Sequence, residues 1–123
     1  MTGNGKFVYV NEQGQLAVAT DTDMDMDISL TDTFDMTVYD DGKVSFKQSR
    51  TNNFLKDPGD TLSPIETSTN EMFFERTLVG DSGEFLLKKS GGVHFWKIYE
   101  EDNKVYADTE TSKMNSATKF KFL

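Results

Sequence analysis

Residues 42–47 (GKVSFK) and 83–88 (GEFLLK) share one pattern, in which Gly is followed by two apolar residues at alternate positions and then by Lys. Residues 5–9 (GKFVY) open a third apolar alternation in the same way. The three copies begin at Gly5, Gly42 and Gly83, so the chain contains an internal repeat of about 40 residues. The repeat accounts for the whole length of 123 residues.

Short apolar alternations recur along the rest of the chain. They have period 2 and are separated by turn-forming pieces such as residues 11–14 (NEQG) and 80–83 (GDSG), which is typical of strands joined by hairpins. The alternating positions are Phe7 and Tyr9, Leu16 and Val18, Ile28 and Leu30, Phe34, Met36 and Val38, Val44 and Phe46, Phe85 and Leu87, and Phe120 and Phe122. The sequence therefore predicts an all-β protein.

The repeat and the strands together predict an architecture. Each unit holds about four short strands, and we place the units at residues 1–41, 42–82 and 83–123 of one domain. Propellers have a similar period, but three blades are fewer than the usual four to eight. Three four-stranded units that close into a pseudo-threefold barrel form a β-trefoil, which is the fold we expect.

Charge and composition limit the classes of partner that we expect the protein to bind. The net charge of −8 opposes binding to DNA, RNA, heparin and anionic lipid, which are polyanions. The chain has no Cys, no signal-peptide core and no apolar run long enough for membrane insertion. These features favour the cytoplasm, with leaderless secretion as the alternative, and we expect a monomer.

From Gly42 onward the chain resembles the fibroblast growth factors. The resemblance spans residues 42–96 and rests mainly on residues 42–47, 70–76 (NEMFFER) and 84–89 (EFLLKK). It implies a β-trefoil ligand that binds a receptor. Two departures stand out: Glu71 occupies the Cys position of the family's Cys-x-Phe-x-Glu signature, and residues 99–110 are acidic where the family has its basic heparin-binding segment. A growth-factor-like or cytokine-like ligand without a heparin site is the leading functional hypothesis.

The first third resembles a second trefoil family, the fascin-like actin cross-linkers. Residues 4–8 (NGKFV), 14–17 (GQLA) and 34–44 carry this resemblance. It implies an actin-binding module, and the lysines of the last third, among them Lys88 and Lys89, would then be the contacts to test. Actin is acidic, so the charge of −8 works against this alternative.

Adjacent aromatic pairs supply candidate binding residues. In Phe73–Phe74 and Phe95–Trp96, neighbours on a strand point to opposite faces, so one member of each pair should face outward unless a hairpin or loop covers it. An outward aromatic near Tyr99 could anchor a protein partner. A carbohydrate-binding trefoil is a further alternative, with an aromatic platform beside Asn103. The candidate binding residues are Phe74, Phe95, Trp96, Tyr99 and Asn103.

One acidic segment has the spacing of a calcium loop. Its carboxylates stand at alternate positions and again near the end of the segment, which is the spacing of an EF-hand loop. They belong to Asp21, Asp23, Asp25, Asp27 and Asp32. Met26 stands where an EF-hand needs Gly. A solvated acidic hairpin tip is the favoured interpretation of the segment, so the sequence predicts at most weak calcium binding and no other cofactor.

Catalysis is not expected. His94 is the only His, and no Gly-x-Ser-x-Gly elbow or phosphate-binding loop accompanies it. Ser82 and Ser90 lie in Gly-rich turns. A last non-catalytic alternative is a protease inhibitor acting through the loop at residues 57–64 (DPGDTLSP).

Overall fold

A computed structural model describes residues 7–19, 34–81 and 83–120. This part of the chain contains ten β-strands and one 3-10 segment, Thr111–Ser116, and no α-helix. The all-β prediction is confirmed. The strands are β1 (Phe7–Val10), β2 (Leu16–Ala19), β3 (Phe34–Val38), β4 (Val44–Gln48), β5 (Phe54–Lys56), β6 (Glu66–Ser68), β7 (Phe74–Val79), β8 (Glu84–Lys89), β9 (His94–Tyr99) and β10 (Lys104–Glu110).

The ten strands form one antiparallel sheet. Its order is β1-β2-β10-β9-β8-β7-β4-β5-β6, and β3 pairs with β4 beside this path. The predicted turns join consecutive strands: residues 11–14 connect β1 to β2, and residues 80–83 connect β7 to β8. The predicted strand around Ile28 and Leu30, and the position Phe122, lie outside the described residues.

Backbone hydrogen bonds also join segments that are far apart in the sheet order. Leu16 N donates to Ile65 O at 2.7 Å, and Thr67 N donates to Gly14 O at 2.9 Å. The N–H of Ile65 donates to Val105 O at 2.7 Å. The segment that carries β6 therefore lies against β2 and β10 although β6 is at the other end of the strand order.

The strands can be compared with the units of the sequence repeat. Strands β4 to β7 lie within residues 42–82. Residues 83–120 hold β8 to β10 and a bridge between Phe85 and Phe120, while β1 to β3 fall within residues 1–41. The strands led by Gly42 and Gly83 are β4 and β8, the two clearest copies of the repeated pattern.

Aromatic side chains from several strands meet in the core. The Phe74 ring lies 6.2 Å from the Phe46 ring and 5.0 Å from the Trp96 ring, in an edge-to-face contact. Trp96 in turn packs edge-to-face on Phe120 at 6.1 Å. Aliphatic side chains fill the space around this aromatic row, and Val44, Ile65 and Val105 are fully buried. Two rings of this row come from residues 42–82 and two from residues 83–120, while Phe34 of the first unit packs against the core as a partly buried side chain.

The Phe95–Trp96 pair has both members in the interior. The sequence left open whether one member faces outward or is covered, and Phe95 and Trp96 are only 3% and 1% exposed. Phe95 packs with Leu86 and Ala117 in a second apolar cluster on the other side of β8 and β9. The chain after the 3-10 segment holds this cover in place, since Thr118 N donates to Trp96 O at 3.1 Å. The covering alternative is thus the observed one.

The two adjacent Phe residues at the start of β7 give a matched test of the core. Phe74 is fully buried, whereas Phe73 is 40% exposed. We expect Phe74→Ala to lower the free energy of unfolding by about 3–5 kcal/mol, since it leaves a cavity beside Trp96. Phe73→Ala should cost less than about 1 kcal/mol. Urea denaturation measures both, and equal losses would contradict this placement of the core.

A second pair of variants tests the contact between β2 and β6. Gly14 and Gly42 both have positive φ, so Ala at either position should cost about 1–2 kcal/mol. A Cβ on Gly14 would also lie 3.2 Å from Thr67 Oγ1, while one on Gly42 meets nothing within 4 Å. We expect Gly14→Ala to be the more destabilising in urea denaturation. A larger loss for Gly42→Ala would show that the Gly14–Thr67 contact does not hold β6.

Candidate protein-binding surface

The structure does not gather the sequence-predicted binding residues on one surface. Phe74, Phe95 and Trp96 are core residues. Tyr99 is half-buried at the end of β9, and Asn103 is exposed in the turn before β10. A binding role for these five residues stays a prediction, but the three buried ones offer no surface to a partner. The calcium candidates, Asp21, Asp23, Asp25, Asp27 and Asp32, lie outside the described residues.

The exposed aromatic at the start of β7 is Phe73, not Phe74. Its ring packs edge-to-face on Tyr39, with centroids 5.1 Å apart and the rings inclined at 79°. Tyr39 follows β3, and the two rings border a hollow of about 450 Å³ that Asp40, Asp41 and Lys43 also line. We call these five residues, Tyr39, Asp40, Asp41, Lys43 and Phe73, the Phe73 surface.

Hydrogen bonds to Glu71 fix the Tyr39 ring. The Tyr39 hydroxyl and the hydroxyl of the buried Ser45 both donate to Glu71 Oε2, the latter at 2.7 Å. These bonds favour the ionised carboxylate and lower the pKa of Glu71 below its ordinary value of 4.5. The same bond with Glu71 raises the pKa of Tyr39. Tyr39 therefore stays neutral at physiological pH and keeps donating.

The backbone beside Phe73 is tied to two further loops. Ser90 N, in the turn after β8, donates to Phe73 O at 3.0 Å. Asp57 N, in the loop after β5, donates to the Met72 sulfur at 3.2 Å. Together with the Glu71 bonds, these contacts hold residues 71–73 from three sides. The Phe73 side chain is therefore exposed, while its backbone is held in place.

The rim near the Phe73 surface carries charges of both signs. Lys88 Nζ lies 3.1 Å from Glu75 Oε2, and the same oxygen accepts a 3.0 Å bond from Gly91 N. The Gly91 bond and then the Lys88 bond lower the pKa of Glu75. Lys43 pairs loosely with Asp41 at 3.7 Å. An apolar centre with a polar rim is the usual anatomy of a protein interface.

A second aromatic pair lies at the β9–β10 turn. Tyr99 and Tyr106 stack at 4.3 Å with rings 20° apart, and the Tyr106 hydroxyl donates to Asp102 Oδ2 at 2.5 Å. Burial and the neighbouring Asp108 raise the pKa of Tyr99 to about 12, while the bond to Asp102 and burial raise that of Tyr106 to about 12. One face of the Tyr99 ring is covered by Tyr106, so a sugar would have only its other face for stacking.

The loop between β5 and β6 is a folded turn. Asp60 Oδ1 accepts the backbone N–H groups of Leu62 and Ser63, each at 2.8 Å, and these bonds lower the pKa of Asp60. Leu62 is 88% exposed at its tip. Protease-binding loops usually offer an extended backbone for strand-like pairing. Here the N–H groups at the tip already bond within the loop, which does not favour the protease-inhibitor alternative.

The described residues contain neither a metal-binding cluster nor a membrane-spanning helix. Residues 7–19, 34–81 and 83–120 contain no group of three or more His, Asp or Glu side chains placed to hold a metal ion. No helix in these ranges is long and apolar enough to cross a membrane. His94 begins β9 and is half-buried, and Ser90 lies in the turn before it. Ser82 lies outside the described residues.

Sequence reasoning missed Tyr39 and misjudged which Phe is exposed. The alternation that suggested a strand at Phe73–Phe74 gives two opposite faces without saying which is covered. The pairing of Phe74 with Val44 is what turns Phe74 inward. Tyr39 and Glu71 are 32 residues apart in sequence. Glu71 accepts the Tyr39 hydroxyl, and no local pattern in the sequence points to this pairing.

The Glu71 bonds predict a pH-dependent stability. Because the pKa of Glu71 is lower in the folded protein than in the unfolded chain, the carboxylate stabilises the fold above about pH 4.5. This contribution is lost as the pH falls through the folded pKa. We expect Glu71→Gln to reduce the free energy of unfolding at neutral pH, with a difference from wild type that shrinks in acid. Urea denaturation across pH, with Glu12→Gln as the exposed-charge control, checks this; a pH-independent difference would contradict it.

Comparison with known proteins adds no relative. No protein-family model matches the sequence, and no curated protein matches it significantly.

Proposed function

We propose that this protein is a non-catalytic protein-binding module with a β-trefoil fold. The trefoil is supported by the threefold repeat, by the four strands of the middle unit and by the contacts that bring β6 against β2 and β10. The resemblance to fibroblast growth factors covers residues 42–96, which contain β4 to β8 and the first half of β9. A fold alone does not assign a function, so the proposal depends on a surface.

The observation that carries the proposal is the fixed, exposed ring of Phe73. Interface hot spots are enriched in aromatic side chains, and an anchor that is already ordered costs little entropy on binding. Phe73 is 40% exposed, packs on Tyr39 and stands beside a hollow of about 450 Å³. The hollow could accept one side chain of a partner while the Phe73 ring enters the partner's surface.

The charge distribution supports a growth-factor-like ligand that does without heparin. The β9–β10 turn, which falls in the segment that is basic in growth factors, exposes Glu100, Glu101 and Asp102. Three acidic side chains on one turn repel sulfated polysaccharides. A protein receptor that contacts Phe73 is therefore the favoured partner, ahead of a glycosaminoglycan.

The test compares two exposed apolar residues. Phe73→Ala should lose binding to the partner by about 30-fold, the effect of removing a hot spot of about 2 kcal/mol. Leu78→Ala, at a position on β7 that is 68% exposed, should change it less than about 3-fold. Cell-surface capture followed by surface plasmon resonance with the purified partner measures both.

The same experiment separates the alternatives. Equal binding by Phe73→Ala and wild type would overturn the role of the Phe73 surface. Saturable co-sedimentation with filamentous actin at physiological salt would favour the fascin-like function instead. Binding on a glycan array that Tyr99→Ala removes would favour a carbohydrate-binding module.

A further inference from the structure

A cleft separate from the Phe73 surface lies between the β5–β6 loop and the β8–β9 hairpin. Its volume is about 280 Å³, and Ala107 of β10 forms part of its lining. One wall, from the β5–β6 loop, carries Asp57, Asp60 and Thr61. The other, from the hairpin, carries Lys89 and His94. Carboxylates and basic groups are thus sorted onto opposite walls.

Asp57 points to a ligand most directly. Only 6% of its surface is exposed, although it is a carboxylate that lines a cleft. Its Oδ1 accepts the Gly59 N–H at 2.8 Å, and among the described residues its Oδ2 has no hydrogen-bond partner. A carboxylate that is mostly shielded from water gains from a charged donor. An ammonium group placed against this wall would satisfy the remaining oxygen.

Asp60 strengthens the same wall. The N–H groups of Leu62 and Ser63 hold its Oδ1, so the carboxylate keeps a fixed position at the mouth of the cleft. Those bonds also lower its pKa and keep it ionised. Two carboxylates on one short loop, with the Thr61 side chain beside them, give that wall a negative potential.

Lys89 provides the opposite charge. Its neighbour Lys88 is paired with Glu75, whereas Lys89 has no ion-pair partner among the described residues. Adjacent residues on a strand point to opposite faces, which is why one lysine is paired and the other faces the cleft. His94 lies on the same wall as Lys89 and adds a second nitrogen-bearing side chain.

We propose that this cleft binds a small zwitterion of the α-amino acid class. Its ammonium group lies against Asp57 and Asp60, and its carboxylate lies against Lys89 and His94. The volume is at the lower limit of small-molecule sites, which suits a ligand of this size. The exposed Val93, which also lines the cleft, offers an apolar contact for the ligand's side chain.

The test is an NMR titration of the backbone amides with four probes. L-alanine carries both charges, ethylamine only the positive one, propionate only the negative one, and glucose neither. We expect alanine to shift the Gly59 and Gly92 amides saturably with a Kd of about 1 mM, and each singly charged probe to bind at least about 10-fold more weakly.

Variants test the role of each wall of the cleft in binding alanine. Asp57→Asn keeps an oxygen for the Gly59 N–H, so we expect it to fold and to weaken alanine binding by about 10-fold or more. Lys89→Gln should weaken it similarly, and Lys47→Gln, on β4, should leave it unchanged. Urea denaturation of each variant shows that it is folded. Phe73→Ala should bind alanine as wild type does, which separates this site from the proposed protein-binding surface.

Several outcomes would overturn the proposal. They are the absence of saturable shifts up to about 50 mM alanine, ethylamine binding as tightly as alanine, glucose binding alone, and unchanged alanine binding by both Asp57→Asn and Lys89→Gln. The first would mean that the cleft does not bind α-amino acids, the second that it is an amine site, and the third that it recognises hydroxyl groups.

Discussion

The row of buried rings from Phe46 through Phe74 and Trp96 to Phe120 is the interaction on which the rest of the structure depends. The strands are short, and an isolated hairpin of this length is marginally stable in water. The rings join β4, β7, β9 and the chain end in one interior. Since strands from different parts of the chain meet there, the loops between them are held in fixed positions, including those that form both candidate sites.

Burial of Phe74 also explains the exposure of Phe73. Neighbouring residues on an extended backbone point in opposite directions, so fixing one ring in the core directs the other to the surface. The exposed Phe73 ring can anchor a partner well only if it is ordered. The bonds from Tyr39 and Ser45 to Glu71 and from Ser90 to the Phe73 carbonyl provide that order. The core and the proposed binding surface are thus two sides of one short segment.

Although the net charge is −8, several charged side chains have specific partners. Glu75 is neutralised by Lys88, and Asp60 is held by the backbone of its own turn. Lys89 and the second oxygen of Asp57 have no such partner among the described residues, and both belong to the same cleft. Although the protein has an excess of acids, an unpaired lysine faces an incompletely paired carboxylate across this cleft. This arrangement suits an external ligand that carries both charges.

The β-strands and the turns could be predicted from the sequence, because period-2 alternation and Gly-rich turns are properties of a few consecutive residues. The sequence pattern favoured Phe74, Phe95 and Trp96 as binding residues at the surface, whereas all three are buried. The tertiary structure alone decided which side of each aromatic pair is covered: Phe95 is buried by Ala117, which lies 22 residues later. It decided too that Tyr39 meets Glu71 and that the loop of Asp57 faces the hairpin of Lys89. Such contacts join residues that are distant in sequence, and local patterns carry no information on the pairing of strands that brings them together.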